Sequence, residues 1–599
     1  MFSIIRIEEL SPTSGSNDGC IVVPFTPDRS RLLATARRVA GSARGYDVVV
    51  VTPRRSFLLH WRLERRSTGN LVIVTSPEPL RHGLSLGRIA QCWATVIVGN
   101  AMDSLSAEGI RQLSTTANRC PDAGMVASSS STSVHGQVFR VHPGSVLIRR
   151  SALNVCGGID ESFSDLRDVL DELAGRFTKA SIPIAAVASG DRARVPVSDI
   201  PAQRYPWLTI ESESLPNLPA PSSGYKQSRS GIRPSRRINL LIDLTPVTRL
   251  SNGTGQHALR TLRALSTLTD TELTARLDPG TDRSLSAVCA SLGIDILIGS
   301  SAVTQTFDAA FRVAQFDTVA EVSELRRLAP KVIVNHLDFI AFDNPTYHPS
   351  VDHWVTYRRE VLGALHSVDG VAWLSNEVQQ QAAAYGVRLP ETLSAVCGAI
   401  AELGHDGGGT VPTDGPYIAS FGASYHHKGR LYALRVFEEC VRLGWPGQLV
   451  LAGWDPPHGS SRPEEEDLIA GSPFLRSRVI RVGSLSDLDH HATVRAASAL
   501  LQPSLVEGFG LLAAEAAQLG VPTVMLKRSA LREVYPPDYP HWLTGDDIRS
   551  DATVVLAATS NREAMTGHRV LSSGASDDPY RHYADRVVRL VDAVMVSGV

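Results

Sequence analysis

Hydrophobic positions along this chain switch between two periods. Short β-rich runs such as YDVVVV (Tyr46–Val51), ATVIV (Ala94–Val98), INLLID (Ile238–Asp243), KVIVNH (Lys331–His336), YIASF (Tyr417–Phe421) and QLVLA (Gln448–Ala452) recur. Between them lie stretches whose apolar residues return every three or four positions, as Leu259, Leu262 and Leu265 do. Buried strands alternating with amphipathic helices predict an α/β fold of repeated βαβ units. The tail DDPYRHYADRVVRLVDAVMV puts Tyr583, Val587, Leu590, Val591 and Val594 on one helical face, so it reads as a final helix packed on the fold.

One composition break divides the pattern. Residues 195–237 are rich in Pro, Ser and Gly and end with Lys226, Arg229, Arg233, Arg236 and Arg237, which reads as an extended linker. The basic cluster is expected to be solvated linker charge, with a peripheral contact to anionic lipid as the alternative. The resulting division is an α/β domain at 1–194, the linker, a Rossmann-like half at 238–411, a second at 412–576, and the terminal helix at 577–599. A length of 599 residues with 43% hydrophobic content fits that number of cores.

A formal net charge of −2 gives no general bias toward nucleic acid, so any anion site must be local. Seven scattered cysteines, an odd number without a CxxC pair, argue against a disulfide framework or structural zinc and suit a reducing compartment. No secretory signal pattern opens the sequence, and no stretch approaches the ~20 apolar residues needed to span a bilayer. The expected location is cytoplasmic, with a peripheral position at the inner face of the plasma membrane as the variant the basic linker would support.

Candidate chemistry concentrates in LQPSLVEGFGLLAAEAAQLGVPTV (Leu501–Val524). A strand, a Gly-Phe-Gly turn and a helix follow in order, until Gly520 and Pro522 stop the helix. Backbone N–H groups of Phe509, Gly510 and Leu511 would then face a diphosphate with the positive end of the helix dipole. Glu515 on the helix is placed to take a ribose diol, and Glu507 on the loop to take sugar hydroxyls. The plainer alternative makes Glu507 a cap and Glu515 a solvated surface residue.

Elsewhere, Asn252-Gly253-Thr254-Gly255 opens a helix, but eight residues separate it from the preceding strand, which is wrong for a dinucleotide fingerprint. His336 and Asp338 sit at a strand end, where α/β sheets place ligands. Ser375, Asn376 and Glu377 read as a helix N-cap. Lys428 follows Gly422 in a loop and is the cation available to a departing diphosphate. The pairs His426-His427 and His490-His491 lack metal-ligand spacing, and on a strand adjacent side chains would point apart. No metal or other cofactor is expected.

Over about 238–596 these features together resemble glycosyltransferase family 4, retaining enzymes of GT-B fold with a signature of Glu, seven residues and Glu that starts EGFG. The resemblance implies nucleotide-sugar donors (UDP-, GDP- or ADP-sugar), and a glycan or lipid-linked saccharide as acceptor. Glu507, His336 and Lys428 would act in catalysis, and Gly255, Gly422, Lys428, Phe509, Gly510, Leu511 and Glu515 would bind donor. The sequence departs from the family at Ala423, where many members carry arginine; Arg430 or another cation would have to compensate.

From Gly144 the chain reads GSVLIRRSALNVCGGIDESFSDLRDVLDEL, and with the strands and helices before it this order resembles a family 2 glycosyltransferase of GT-A fold whose paired metal carboxylates are gone apart from one aspartate. Asn100-Ala101-Met102-Asp103 stands where DxD is expected, and Arg167 precedes Asp168 where an acidic pair is expected. The implied activity is metal-independent, retaining glycosyl transfer for polysaccharide synthesis. The alternatives are a non-catalytic subunit that binds glycan or a partner transferase, and a phosphorylase-like or hydrolytic use of the same cleft.

Overall fold

The structure is a computed structural model and describes residues 19–23, 46–52, 71–75, 94–98, 107–127, 130–134, 137–141, 145–158, 166–187, 204–205, 237–247, 250, 252–279, 283–299, 306–401, 408–560 and 578–597. It divides into two compact units, one of Met1–Leu215 with Thr544–Asp551, the other of Pro216–Leu543 with Ala552–Val599.

The first unit holds a seven-stranded sheet in the order β3-β2-β1-β4-β8-β5-β9. Its strands are β1 (Gly19–Val23), β2 (Tyr46–Thr52), β3 (Leu71–Thr75), β4 (Ala94–Val98), β5 (Met125–Ala127), β8 (Ser145–Arg149) and β9 (Ile184–Ala186). Strands β6 (Ser130–Val134) and β7 (Gln137–Val141) form a separate antiparallel pair. Strand β8 runs antiparallel to both β4 and β5, so the sheet is mixed. The Asn100–Asp103 segment lies outside the described residues.

The second unit contains two parallel sheets in series. The first is ordered β12-β11-β10-β13-β14-β15-β16, from β10 (Ile238–Asp243), β11 (Thr271–Leu277), β12 (Asp295–Ile298), β13 (Ala309–Arg312), β14 (Lys331–His336), β15 (Gly370–Trp373) and β16 (Ser394–Val396). The second is ordered β19-β18-β17-β20-β21-β22, from β17 (Tyr417–Phe421), β18 (Gln448–Ala452), β19 (Val479–Val482), β20 (Ala499–Gln502), β21 (Thr523–Leu526) and β22 (Trp542–Leu543). Both orders run outward from the first strand and then return to its other side, which is the doubly wound Rossmann arrangement. The direction reverses between β10 and β13 and between β17 and β20, and ligands in such sheets bind beyond the carboxyl ends of the strands at that reversal.

Burial on both faces explains the near-continuous apolar strands: all five residues of β17 and all four of β20 are buried. The terminal helix Pro579–Val596 starts on an Asp578 cap with proline in its first turn. Its Tyr583, Val587, Leu590, Val591 and Val594 are buried in one cluster with Leu240, Ile242, Ala258 and Leu262, so the end of the chain completes the core of the first half. No described helix is long and apolar enough to cross a membrane.

Gly429 is a tight joint in the second half. Its φ is +68°, and a β-carbon there would stand 2.1 Å from the carbonyl oxygen of Pro503. Glycine alone lets the turn after β17 rest on the end of β20. Gly429→Ala is expected to lower stability by at least ~1–3 kcal/mol through the backbone strain, read as a lower unfolding midpoint. An unchanged midpoint would mean the turn does not pack there.

Candidate functional site

The loop after β17 begins at Gly422 (φ +117°) and ends in a short turn, His426–Lys428, before Gly429 starts the helix Arg430–Arg442. The aliphatic stem of Lys428 lies over Gly422, with the nearest methylenes 3.5 Å from where a β-carbon would be. Its Nζ donates to both carboxylate oxygens of Glu507, at 2.8 and 3.0 Å. The ends of the two strands flanking the sheet's reversal are therefore joined by a partly exposed ion pair.

Glu507 is fixed from the backbone as well. Its N–H donates to Ser529 Oγ at 3.1 Å, and the Ser529 hydroxyl donates back to the Glu507 carbonyl at 2.9 Å. Ser529 adopts φ +50°, rare for a residue with a side chain, which marks a constrained support for this loop. The next residue, Gly508, would place a β-carbon 2.4 Å from the carbonyl oxygen of Leu337 and 3.1 Å from Cβ of Asp338. Lacking a side chain, it lets the loop of the second half lie directly on the end of β14 in the first.

That strand end carries His336 and Asp338. His336 is buried, its ring 4.3 Å from Phe339 and 5.8 Å from Trp373, and its Nε2 has no hydrogen-bond partner. Burial pushes its pKa down to about 3, against an opposing backbone contact at Asp338, so the ring is neutral near pH 7. Asp338 Oδ1 accepts from the Ile340 N–H at 2.9 Å. Burial raises the Asp338 carboxyl, the Ile340 amide and Lys428 lower it, and the Glu507 charge raises it.

Gly510, at φ +99°, turns the chain into the helix Leu511–Gln518. The Phe509 ring is buried with Leu337, Leu374 and Ala513. Glu515, inside this helix, is buried too. It forms an ion pair with Arg260, from the helix Gly253–Ser266 of the first half, and stands 3.7 Å from His490 Nε2. Burial alone would raise its carboxyl, but His490 and Arg260 hold it below the ordinary value.

The structure thus brings Gly422, Lys428, Glu507 and the His336 strand end together, and sets Glu515 in a second contact with Arg260 and His490. Gly255, which the resemblance assigns to donor binding, is held within its own helix. It lies in the first turn of its helix, and its N–H is taken by the Asn252 cap at 2.7 Å. Arg430 does not stand in for the arginine missing at Ala423: it is buried, 3.6 Å from Glu465, and donates to the Gly422 carbonyl at 3.2 Å. Its work is to hold the loop.

The histidine pairs sit in the His426–Lys428 turn and in the helix Asp487–Ala496, not on strands. Among the described residues no three His, Cys, Asp or Glu side chains are grouped to hold a metal ion.

Ser375 caps its helix through the Val378 N–H at 3.3 Å. Sequence reasoning missed the other half of that cap. Glu533, from the second half, accepts from the N–H groups of Asn376 at 3.0 Å and Glu377 at 2.7 Å. It missed Arg260 and Ser529 as well. In the first unit Asp168 is half-buried in the first turn of the helix Leu166–Lys179.

Two Rossmann-like sheets in series carry the Lys428–Glu507 pair and the start of the Leu511–Gln518 helix beyond their strand ends, where α/β sheets place ligands. Residues 407–552 match the family described as "Glycosyl transferases group 1". No curated protein matches the chain.

Several solved structures are similar to it at low identity. The apo form of WaaB, a lipopolysaccharide outer core galactosyltransferase, is 13% identical over 58% of this chain and 98% of that one, with a TM-score of 0.38. HepE of Anabaena, in complex with UDP and glucose, is 14% identical over 60% and 100%, with a TM-score of 0.41. Sucrose-phosphate synthase from Thermosynechococcus elongatus is 15% identical over 60% and 97%, with a TM-score of 0.40.

Proposed function

We propose that the second unit is a family 4-like, retaining and metal-independent glycosyltransferase that moves a sugar from a nucleotide-diphosphate sugar to a glycan or lipid-linked saccharide. The observation that carries this reading is the Lys428–Glu507 pair, set at the switch of the second sheet and against the His336 strand end of the first. As the glycosidic bond breaks, charge grows on the departing diphosphate. Lys428 and the N–H groups near Phe509 and Leu511 would meet it. Glu507, released from Lys428, would accept hydroxyls of the transferred sugar, and Glu515 those of the ribose. Neutral His336 would donate or accept beside the sugar without adding charge. The departing phosphate itself would take the acceptor's proton on the same face, so no protein nucleophile is required.

In this reading the first unit is a degenerate GT-A-like domain that serves acceptor binding or assembly, and the protein works in the cytoplasm near the inner membrane surface. A second reading, a non-catalytic glycan-binding subunit, is favoured by one feature: both glutamates already have protein cations, Lys428 and Arg260, on their carboxylates. Incubating the protein with UDP-, GDP- and ADP-sugars and following the anomeric proton by NMR separates the two. The expected result is product or hydrolysed sugar of the donor's own anomeric configuration, unchanged by EDTA. Inversion, or a rate that EDTA abolishes and Mn²⁺ restores, would contradict the mechanism; no turnover with any donor would favour the binding subunit.

A further inference from the structure

Two side chains four residues apart on the Gly253–Ser266 helix reach from the first half of the second unit to its second half. Gln256 Nε2 donates to Asp487 Oδ1 at 3.3 Å, in the first turn of the helix that carries His490. One helical turn further on, Arg260 donates through Nη2 to Glu515 Oε1 and through Nη1 to the Ile400 carbonyl at 2.9 Å. The side chains of Arg260 and Glu515 are only 3% and 9% exposed. Removing either partner from an ion pair so shielded leaves the other as a buried, uncompensated charge.

The same carboxylate is the one the proposed function gives to the donor ribose. With Arg260 on Oε1 and His490 beside Oε2, a diol must compete with these two side chains for the carboxylate. We propose that Arg260 and Glu515 form a latch between the two Rossmann-like halves, and that a nucleoside diol opens it by taking the place of Arg260 on Glu515. The ribose part of this inference rests on the proposed function; the latch itself does not. Arg260 keeps the Ile400 carbonyl when displaced, so it stays beside the site as a competitor. Binding is then weakened by the fraction of molecules in which the pair is closed.

The test uses the full chain, with a donor–acceptor dye pair at exposed Ile298 and Phe474, one in each half. Without nucleotide, Arg260→Ala and Glu515→Gln should each lengthen the distance between the halves. UDP should lengthen it in the parent protein, and 2′,3′-dideoxy-UDP should not. By calorimetry, Arg260→Ala should bind UDP roughly five-fold or more tightly than the parent, while dideoxy-UDP affinity stays the same in both. An unchanged distance in both variants overturns the latch. Weaker UDP binding by Arg260→Ala overturns the competition and makes Arg260 a support for Glu515. If UDP, GDP and ADP all bind neither protein, the ribose assignment fails, and the distances measured without nucleotide still decide the latch.

Discussion

Lys428→Met is expected to slow sugar transfer roughly 10²–10³-fold, the loss typical of removing one preorganised donor from a developing anion. Methionine keeps the stem that lies on Gly422 and removes only the ammonium. Its loss has two consequences. The leaving diphosphate loses its cation, and Glu507, whose side chain is 12% exposed, loses the partner that satisfies both of its oxygens.

Glu507→Gln separates these effects, since it removes the sugar-facing charge and leaves Lys428 for phosphate. The two substitutions share one interaction, so their combined effect on transfer should fall short of the product of the single effects. Rates on the best donor, with unfolding midpoints as the control for folding, give the answer. Parent-like transfer by Lys428→Met would remove the lysine from the mechanism, and strictly multiplicative losses would mean the pair in the structure has no part in the working site.

What the sequence shows well is whatever depends on near neighbours. INLLID and YIASF stand as β10 and β17 over the residues where the apolar runs placed them, because a strand buried on both faces is written as an unbroken apolar run. The buried face of the terminal helix was readable for the same reason, as period and burial coincide at Tyr583, Val587, Leu590, Val591 and Val594. Contacts between distant segments carry no such trace. Arg260 and Glu515 are 255 positions apart, and Lys428 and Glu507 are 79 apart. Nothing around Arg260 in GQHALRTLRAL marks it off from a surface arginine on an amphipathic helix. The histidine pairs were read in the wrong secondary structure, which hid His490 on a helical face that meets Glu515.

Buried histidines make the fold sensitive to acid, and His257 offers the cleanest measurement. It lies on the Gly253–Ser266 helix, 2% exposed, with Nε2 at 2.7 Å from Asn335 Nδ2. Asn335 Nδ2 also donates to Tyr583 Oη at 3.0 Å, so the ring belongs to a polar clasp that ties the terminal helix to the first half. Burial, helped by the nearby Arg260 charge, lowers the His257 pKa from 6.5 to about 4. A proton on Nε2 would also set donor against donor at Asn335.

Between pH 6.5 and 4 the unfolded chain therefore holds a proton at this position that the folded chain refuses, and acid favours unfolding. The contribution is fully present above 6.5, falls through that window, and is exhausted below about 4. At ~1.4 kcal/mol for each pKa unit, the difference amounts to about 3 kcal/mol. His336, with its pKa near 3, acts in the same sense, while Asp343, raised by burial to about 6, acts in the opposite one.

Comparing the parent with His257→Asn cancels those background terms. The variant should be less stable at pH 7, where it has lost the ring's packing and hydrogen bond, and the gap should narrow by about 3 kcal/mol as the pH falls to 4, measured by urea unfolding at steps between. A gap that stays constant over that range would mean His257 takes its proton in the folded chain as readily as in the unfolded one, and that the clasp on the terminal helix tolerates a charged ring.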